Sequence, residues 1–242
     1  MTYFLAKLRK SVRHHGVPGT VRLALLNVYW LARDLQPARR RFIKQQRQLD
    51  HAFGIDTFQT LQVYDLQITG SSAADANYYE PTPPLVLNSV LQNLPVQHDR
   101  YSFIDLGSGM GRALFIAMEF PFQRVIGIEF SPVLHAKAKE NAQRYHSETR
   151  KCRQLELLCM DATRFELPSE PLVIYMYNPF RGTVMSEVLR NIEASLEDNP
   201  RDLFLIYLNP TLDEQVSRTS GLQKIESARF YSIYRSAVPV SE

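Results

Sequence analysis

The stretch from Phe103 to Phe120, FIDLGSGMGRALFIAMEF, decides the fold. Phe103 to Leu106 read as a strand. Gly107, Gly109 and Gly111 follow at alternate positions, and an apolar helical stretch over 111–119 comes next. A strand that runs through glycines into a helix opens a βα unit whose backbone turns sharply and approaches a ligand closely. A dinucleotide-binding loop has the spacing G-x-G-x-x-G, and an acid just before its first glycine would repel the pyrophosphate. Here the spacing is G-x-G-x-G, and Asp105 stands two residues ahead of Gly107. A carboxylate at that place suits a ligand that carries positive charge and no phosphate.

Outward from this stretch the pattern is regular. Apolar runs at 101–106, 124–129, 154–159, 172–177 and 202–208 alternate with helical stretches at 111–119, 131–146 and 183–197. Five strands alternating with helices predict an α/β fold with a parallel sheet and right-handed crossovers. The tail, LQKIESARFYSIYRSAV, predicts two further strands joined by a tight turn, a closing hairpin that brings one antiparallel strand. A helix is expected over about Leu85 to Leu94. The run DLQITGSSAADANYYEPTPP, residues 65–84, is a loop by composition.

Two more acids end successive strands. RVIGIEFSP closes the second run at Glu129, twenty-two residues after Gly107, where a carboxylate can accept from both hydroxyls of a ribose. Ser131 and Pro132 then start a helix as its cap and first residue. LELLCMDATRF closes the third run at Asp161 and Ala162. Asp161 can accept from an adenine amino group, and the amide of Ala162 can donate to the ring. Each acid alone would pass for a helix cap or a surface carboxylate. Three of them at the carboxyl ends of successive strands line the crevice where such sheets bind ligands. S-adenosylmethionine fits, because it carries an ammonium, a sulfonium, a ribose and an adenine but no phosphate. Asp105 would bind its amino-acid end, directly or through water. Gly107, Ser108, Gly109, Met110 and Gly111 would pass beside its methionyl part, with Phe130 next to Glu129 on the nucleoside side.

DLGSGMGR, GIEFS and MDA resemble the cofactor motifs of the class I S-adenosylmethionine-dependent methyltransferases, over about Tyr79 to Val238. The resemblance implies a Rossmann-like sheet of seven strands in the order 3-2-1-4-5-7-6. A finer similarity is to bacterial methyltransferase-like proteins of undefined substrate that carry DLGSGKGR and NPF segments. More distantly, YEPT followed by DLGSGMGR is similar to the seven-strand protein-lysine methyltransferases, among them the ATP-synthase c-subunit lysine methyltransferase and the non-SET histone-lysine methyltransferase. Met110 departs from the lysine or acid common there, and the fourth-strand motif is that of neither lysine enzyme.

That motif is YNPF, Tyr177 to Phe180. The resemblance implies that it faces the methyl group. Many N-methyltransferases carry Asn or Asp, then Pro, Pro and an aromatic, whose side-chain oxygen and backbone carbonyl accept the hydrogens of a target amine. Asn178, Pro179 and Phe180 would supply the oxygen, a restricted backbone and a ring that packs substrate or cofactor; the second proline is missing. The family also implies that NYYEPTP closes over the cofactor through Tyr79 and Thr82. Glu80, Tyr78 and Tyr79 would be the groups that take the proton an ammonium must lose. A second Asn-Pro, Asn209 to Thr211 in YLNPT, is read as a turn, with the substrate side as its alternative.

The formal net charge of +3 hides an asymmetry. Residues 1–47 hold eleven Lys/Arg and one acid, a net of +10, and the rest hold seventeen and twenty-four, a net of −7. Stripes of apolar residues predict helices over 3–14 and about Thr20 to Leu35, with ARRRFIKQQRQ continuing as a basic helix. The expected organisation is a basic amphipathic helical extension at 1–50, a loop-rich lid or connector at 51–84 and the cofactor-binding domain at 85–242. The extension reads as a solvated cap or as a surface for anionic lipid, nucleic acid or an acidic protein, lipid being preferred to nucleic acid because of its Leu, Trp and Tyr content. No segment reads as a secretory signal or a membrane span. Two cysteines make no disulfide framework, Cys159 is expected in the core, and the histidines show no metal-ligand spacing. The expected setting is the cytoplasm, with peripheral attachment at the inner membrane surface through the arm. The expected activity is methylation of an amine, a protein or small-molecule amine as acceptor and a protein lysine before others. An NAD-dependent oxidoreductase and a non-catalytic cofactor-binding scaffold are the alternatives.

Overall fold

The computed structural model describes residues 37–58 and 79–237. The chain divides into two compact units, Met1–Gln48 and Leu49–Glu242. The helices expected over 3–14 and 20–35, and Tyr78 of the lid, lie outside the described residues. The basic stretch is helical as expected, in α1 (Pro37–Phe53). No helix among the described residues is long and apolar enough to cross a membrane.

Seven strands form one sheet: β1 (Ser102–Leu106), β2 (Arg124–Glu129), β3 (Leu155–Cys159), β4 (Leu172–Tyr177), β5 (Leu203–Leu208), β6 (Leu222–Ser227) and β7 (Tyr231–Ser236). Their order is β3-β2-β1-β4-β5-β7-β6, as the resemblance implied. The first five pair in parallel, and β7 enters antiparallel between β5 and β6. A bulge at Lys224/Glu226 interrupts the edge strand β6. The central strands β1, β4 and β5 are covered on both faces, so they read as continuous apolar runs rather than alternating ones.

Alternate residues serve two cores. Phe103, Val125, Val173, Tyr175, Phe204 and Ile206 point to one face, where α2 (Pro84–Asn93) and α3 (Arg112–Ala117) pack. Ile104, Ile126, Ile174, Met176 and Leu205 point to the other. There, α5 (Gly182–Asp198) buries Val184, Val188, Ile192 and Leu196, one stripe at helical spacing. Between β2 and β3 lies α4 (Pro132–Arg144). Ser131 caps it by accepting from Leu134 N at 3.3 Å, and Pro132 stands first, as the sequence reading required. A short helix, α6 (Asp213–Ser217), was not foreseen; five residues carry too little periodicity to announce it.

Cys159 corrects its reading. It is exposed, because β3 is the outermost strand of its side and none of its residues is fully buried. Cys152 is the buried thiol.

A polar clamp fixes the chain ahead of the domain to the glycine turn. The Asp50 carboxylate accepts from Thr57 N (2.7 Å), Thr57 Oγ1 (2.7 Å), Phe58 N (2.8 Å) and Arg112 Nη2 (2.8 Å). Arg112 Nε donates to Thr57 Oγ1 at 2.6 Å. Asn141 of α4 donates to the carbonyls of Met110 and Asp56, both at 3.1 Å, and accepts from Asp56 N at 2.9 Å. The Arg112 side chain is 1% exposed and that of Asp50 10%. A pair this buried is costly to break from one side, because the remaining charge has no water to turn to. Asp50→Ala is expected to destabilise the protein by about 3–5 kcal/mol in denaturant unfolding. A loss within about 1 kcal/mol, the size of an exposed pair, would show that the clamp is not closed in solution.

Candidate active site

The carboxyl edge of β1, β2 and β4 gathers the residues singled out in the sequence. Asp105, the penultimate residue of β1, is in register with Gly127 of β2 and Tyr175 of β4, and it is buried. Burial is the first cause that raises its carboxyl pKa well above the usual carboxylate value, and the neighbouring Glu129 is the second. Glu129, also buried, is pushed up to about 7 by the same loss of water. Backbone amides oppose that shift: Glu129 accepts from Gly109 N on one oxygen and Ser131 N on the other, each at 2.8 Å. Among the described residues, no ion pair involves Asp105 or Glu129. The edge is thus a buried acidic site that favours a cation and opposes a phosphate.

The glycine turn is closed by two contacts that a side chain would forbid. Gly107 has φ +90°, and a Cβ there would lie 2.5 Å from Pro179 Cβ. Gly109 has φ +54°, and a Cβ there would enter the ring of Tyr79. The proline of YNPF and the tyrosine of the lid therefore both rest on the glycine backbone. Tyr79 donates from its hydroxyl to the Thr57 carbonyl at 2.9 Å, and burial drives its phenol far above the ordinary value. The structure makes Tyr79 a wall of the site, with its hydroxyl proton given to the Thr57 carbonyl and its charged form disfavoured by burial. Thr82 shares a hydrogen bond with Tyr175 Oη at 2.9 Å and ties the lid to β4. Glu80 is exposed.

Two further expectations are refined. The Met110 side chain is fully buried against Leu134 and Tyr79, so only its backbone is offered on the ligand side of the turn. Gly111 begins α3 with φ +89°, and its amide closes the turn onto Ser108 O at 2.8 Å. Ser108 itself is buried.

Beyond Gly107 an open pocket is lined by Ile128, Phe130, Met160, Asp161, Ala162, Phe180 and Val184. Asp161 caps the short turn Ala162–Arg164, its Oδ1 accepting from Thr163 N at 3.0 Å and Thr163 Oγ1 at 2.8 Å. It is therefore both a cap and a pocket residue. Phe180 lines this pocket and is buried in the core around α5. Asn178 has φ +43°, a left-handed conformation that asparagine tolerates better than most residues. Its Oδ1 accepts from Thr211 Oγ1 at 2.6 Å and Tyr207 Oη at 3.2 Å.

The model of the family described as histone methylation protein DOT1 matches residues 61–157, about two fifths of the chain and all of the glycine turn. Among solved structures, a Pyrococcus horikoshii protein assigned as an RNA methyltransferase is 16% identical, with 79% of this chain and 97% of that one covered at a TM-score of 0.52. It shares the fold. The fold is that of the class I S-adenosylmethionine-dependent methyltransferases. An RNA methyltransferase from Salinibacter ruber, solved with S-adenosyl-L-homocysteine, is 22% identical over 67% of this chain and 96% of its own, with a TM-score of 0.45. A predicted N6-adenine-specific DNA methylase from Listeria monocytogenes is 14% identical over 74% of this chain, at a TM-score of 0.48. This chain spans about half of its length, 55%. No curated protein matches.

The residues present suit S-adenosylmethionine: a buried pair of carboxylates without a basic partner among the described residues, then an apolar pocket with one acid at its rim. Asp105 would hold the amino-acid end, Glu129 the ribose, and Phe130, Asp161, Ala162 and Phe180 the adenine. The titration of Glu129 makes this testable. Folded Glu129 keeps its proton up to about pH 7 and the unfolded chain releases it near 4.5, so the ligand-free protein loses stability as pH rises through that window. Binding that needs the carboxylate runs the other way. The dissociation constant for S-adenosylmethionine is expected to be about tenfold weaker at pH 6 than at pH 8, as one group titrating near 7 dictates. A flat calorimetric profile would contradict the role given to Glu129.

Proposed function

We propose that the chain is an S-adenosylmethionine-dependent methyltransferase, that it acts on an amine nitrogen and that its acceptor is a protein lysine. The observation that carries the reading is the placement of Asn178 and Pro179. They sit at the end of β4, with Pro179 against Gly107, next to the crevice that Asp105 and Glu129 build. The description of the matching family model, histone methylation, supports a protein as the acceptor.

When bound, the cofactor supplies a methyl carbon activated by its sulfonium. The protein's part is positioning, because in-line displacement gains most from aligned reactants. Asp105 and Glu129 would fix the cofactor, and Pro179 sets the floor beneath the reacting end through its contact with the glycine turn. The Asn178 corner presents hydrogen-bonding oxygen at the rim, where an amine can turn its hydrogens to the protein and its lone pair to the crevice. A lysine, with an ordinary pKa of about 10.4, must first lose a proton. Glu80, exposed on the lid, is the candidate for taking it among the described residues. The basic extension, residues 1–47, is proposed to bring the enzyme to an anionic lipid surface, on its net charge of +10.

The test is incubation of the full chain with methyl-labelled cofactor and a lysate of its host cells. Label is expected in protein, released by acid hydrolysis as methyl-lysine. Label in RNA or small molecules alone, or no transfer, would overturn the acceptor. Asn178→Ala is expected to lower transfer about 100-fold while cofactor affinity stays within about twofold, since misplacement of a reactant costs rate rather than binding.

A further inference from the structure

β4 and β5 run in parallel with Tyr177 opposite Leu208, so their ends lie side by side at the carboxyl edge. Both end in the same way, Asn178-Pro179 and Asn209-Pro210, and both asparagines have positive φ, 43° and 48°. The two corners are joined. Thr211, beyond the second corner, donates its hydroxyl to Asn178 Oδ1 at 2.6 Å, a distance proper to O–H···O and short for a nitrogen donor. Tyr207, near the end of β5, donates to the same oxygen at 3.2 Å, and its own hydroxyl accepts from Leu212 N at 3.3 Å.

An amide oxygen has two lone pairs, and both of these are taken by hydroxyl donors. An amine that arrived at the corner would find Asn178 Oδ1 already engaged. What it would meet instead is the hydroxyl oxygen of Thr211. Thr211 is exposed, its hydrogen is committed to Asn178, and its oxygen, which also lies against the Tyr207 hydroxyl, keeps capacity to accept. We propose that the second corner is half of the acceptor site: Thr211 Oγ1 receives the acceptor N–H, and Asn178 and Tyr207 hold that hydroxyl in orientation. Asn178 and Tyr207 are then positioning residues and Thr211 is the group that touches the acceptor. Such a site selects acceptors that carry a hydrogen to donate, because Thr211 has none left to offer. The inference rests on the amine reading above and deepens it.

The unidentified acceptor is not needed for the test. Sinefungin places an amine-bearing carbon where the cofactor has its sulfonium and methyl, whereas S-adenosylhomocysteine has a bare sulfur there. Calorimetry of the full chain with these two probes reads the amine site alone. The wild type is expected to bind sinefungin about tenfold tighter, the size of one hydrogen bond from a charged amine. Thr211→Val is expected to remove that preference with S-adenosylhomocysteine affinity unchanged, which also shows that the fold is intact. Thr211→Ser, which keeps the hydroxyl, is expected to retain it. A preference that survives Thr211→Val overturns this inference and leaves the amine reading standing. No preference in the wild type overturns both.

Discussion

Two carboxylates buried side by side are the constraint on which the rest of this structure turns. Asp105 and Glu129 lie at the ends of adjacent strands, are withdrawn from water, and have no basic partner among the ion pairs of the described residues. Loss of water raises both pKa values, and the neighbouring Glu129 raises that of Asp105 further. The fold tolerates the site because backbone amides of the glycine turn and the α4 cap converge on Glu129. The same bonds hold the turn in the shape that a ligand would meet. Stability and function meet here in one feature: an acidic edge that costs the free protein something and that a cationic, phosphate-free ligand would relieve.

The parts around this edge have complementary duties. The buried Arg112, which opens α3 behind the glycine turn, pairs with Asp50 and so serves the clamp. Tyr79 and Pro179 cover Gly109 and Gly107 from two directions. The lid, the fourth-strand corner and the cofactor turn are therefore one packed unit. A change in any of them is felt by the others, as close-packed interiors dictate.

Most of the fold was legible because the sheet is parallel and covered on both faces. Such strands are apolar throughout, and the five runs read from sequence fall within one residue of the observed strands. The three acids and the glycines were legible because their place at strand ends is a local pattern. The clamp was not. Asp50 and Arg112 are 62 positions apart, Asp56 and Asn141 are 85, and no periodicity marks either pair. The one available signal was an arginine opening the apolar helix RALFIA. Cys159 was misplaced because an apolar run does not tell a central strand from an edge strand; the order of the sheet does. The role of Thr211 was hidden likewise, since only the pairing of β4 with β5 brings the second corner to Asn178.

The central claim is that this acidic edge selects its cofactor by charge. Titration of the wild-type protein with S-adenosylmethionine and with NAD, in separate calorimetric runs at pH 8, tests it most directly. The account predicts saturable binding of S-adenosylmethionine and none of NAD. Binding of NAD, with its pyrophosphate set against Asp105, and none of S-adenosylmethionine would contradict it.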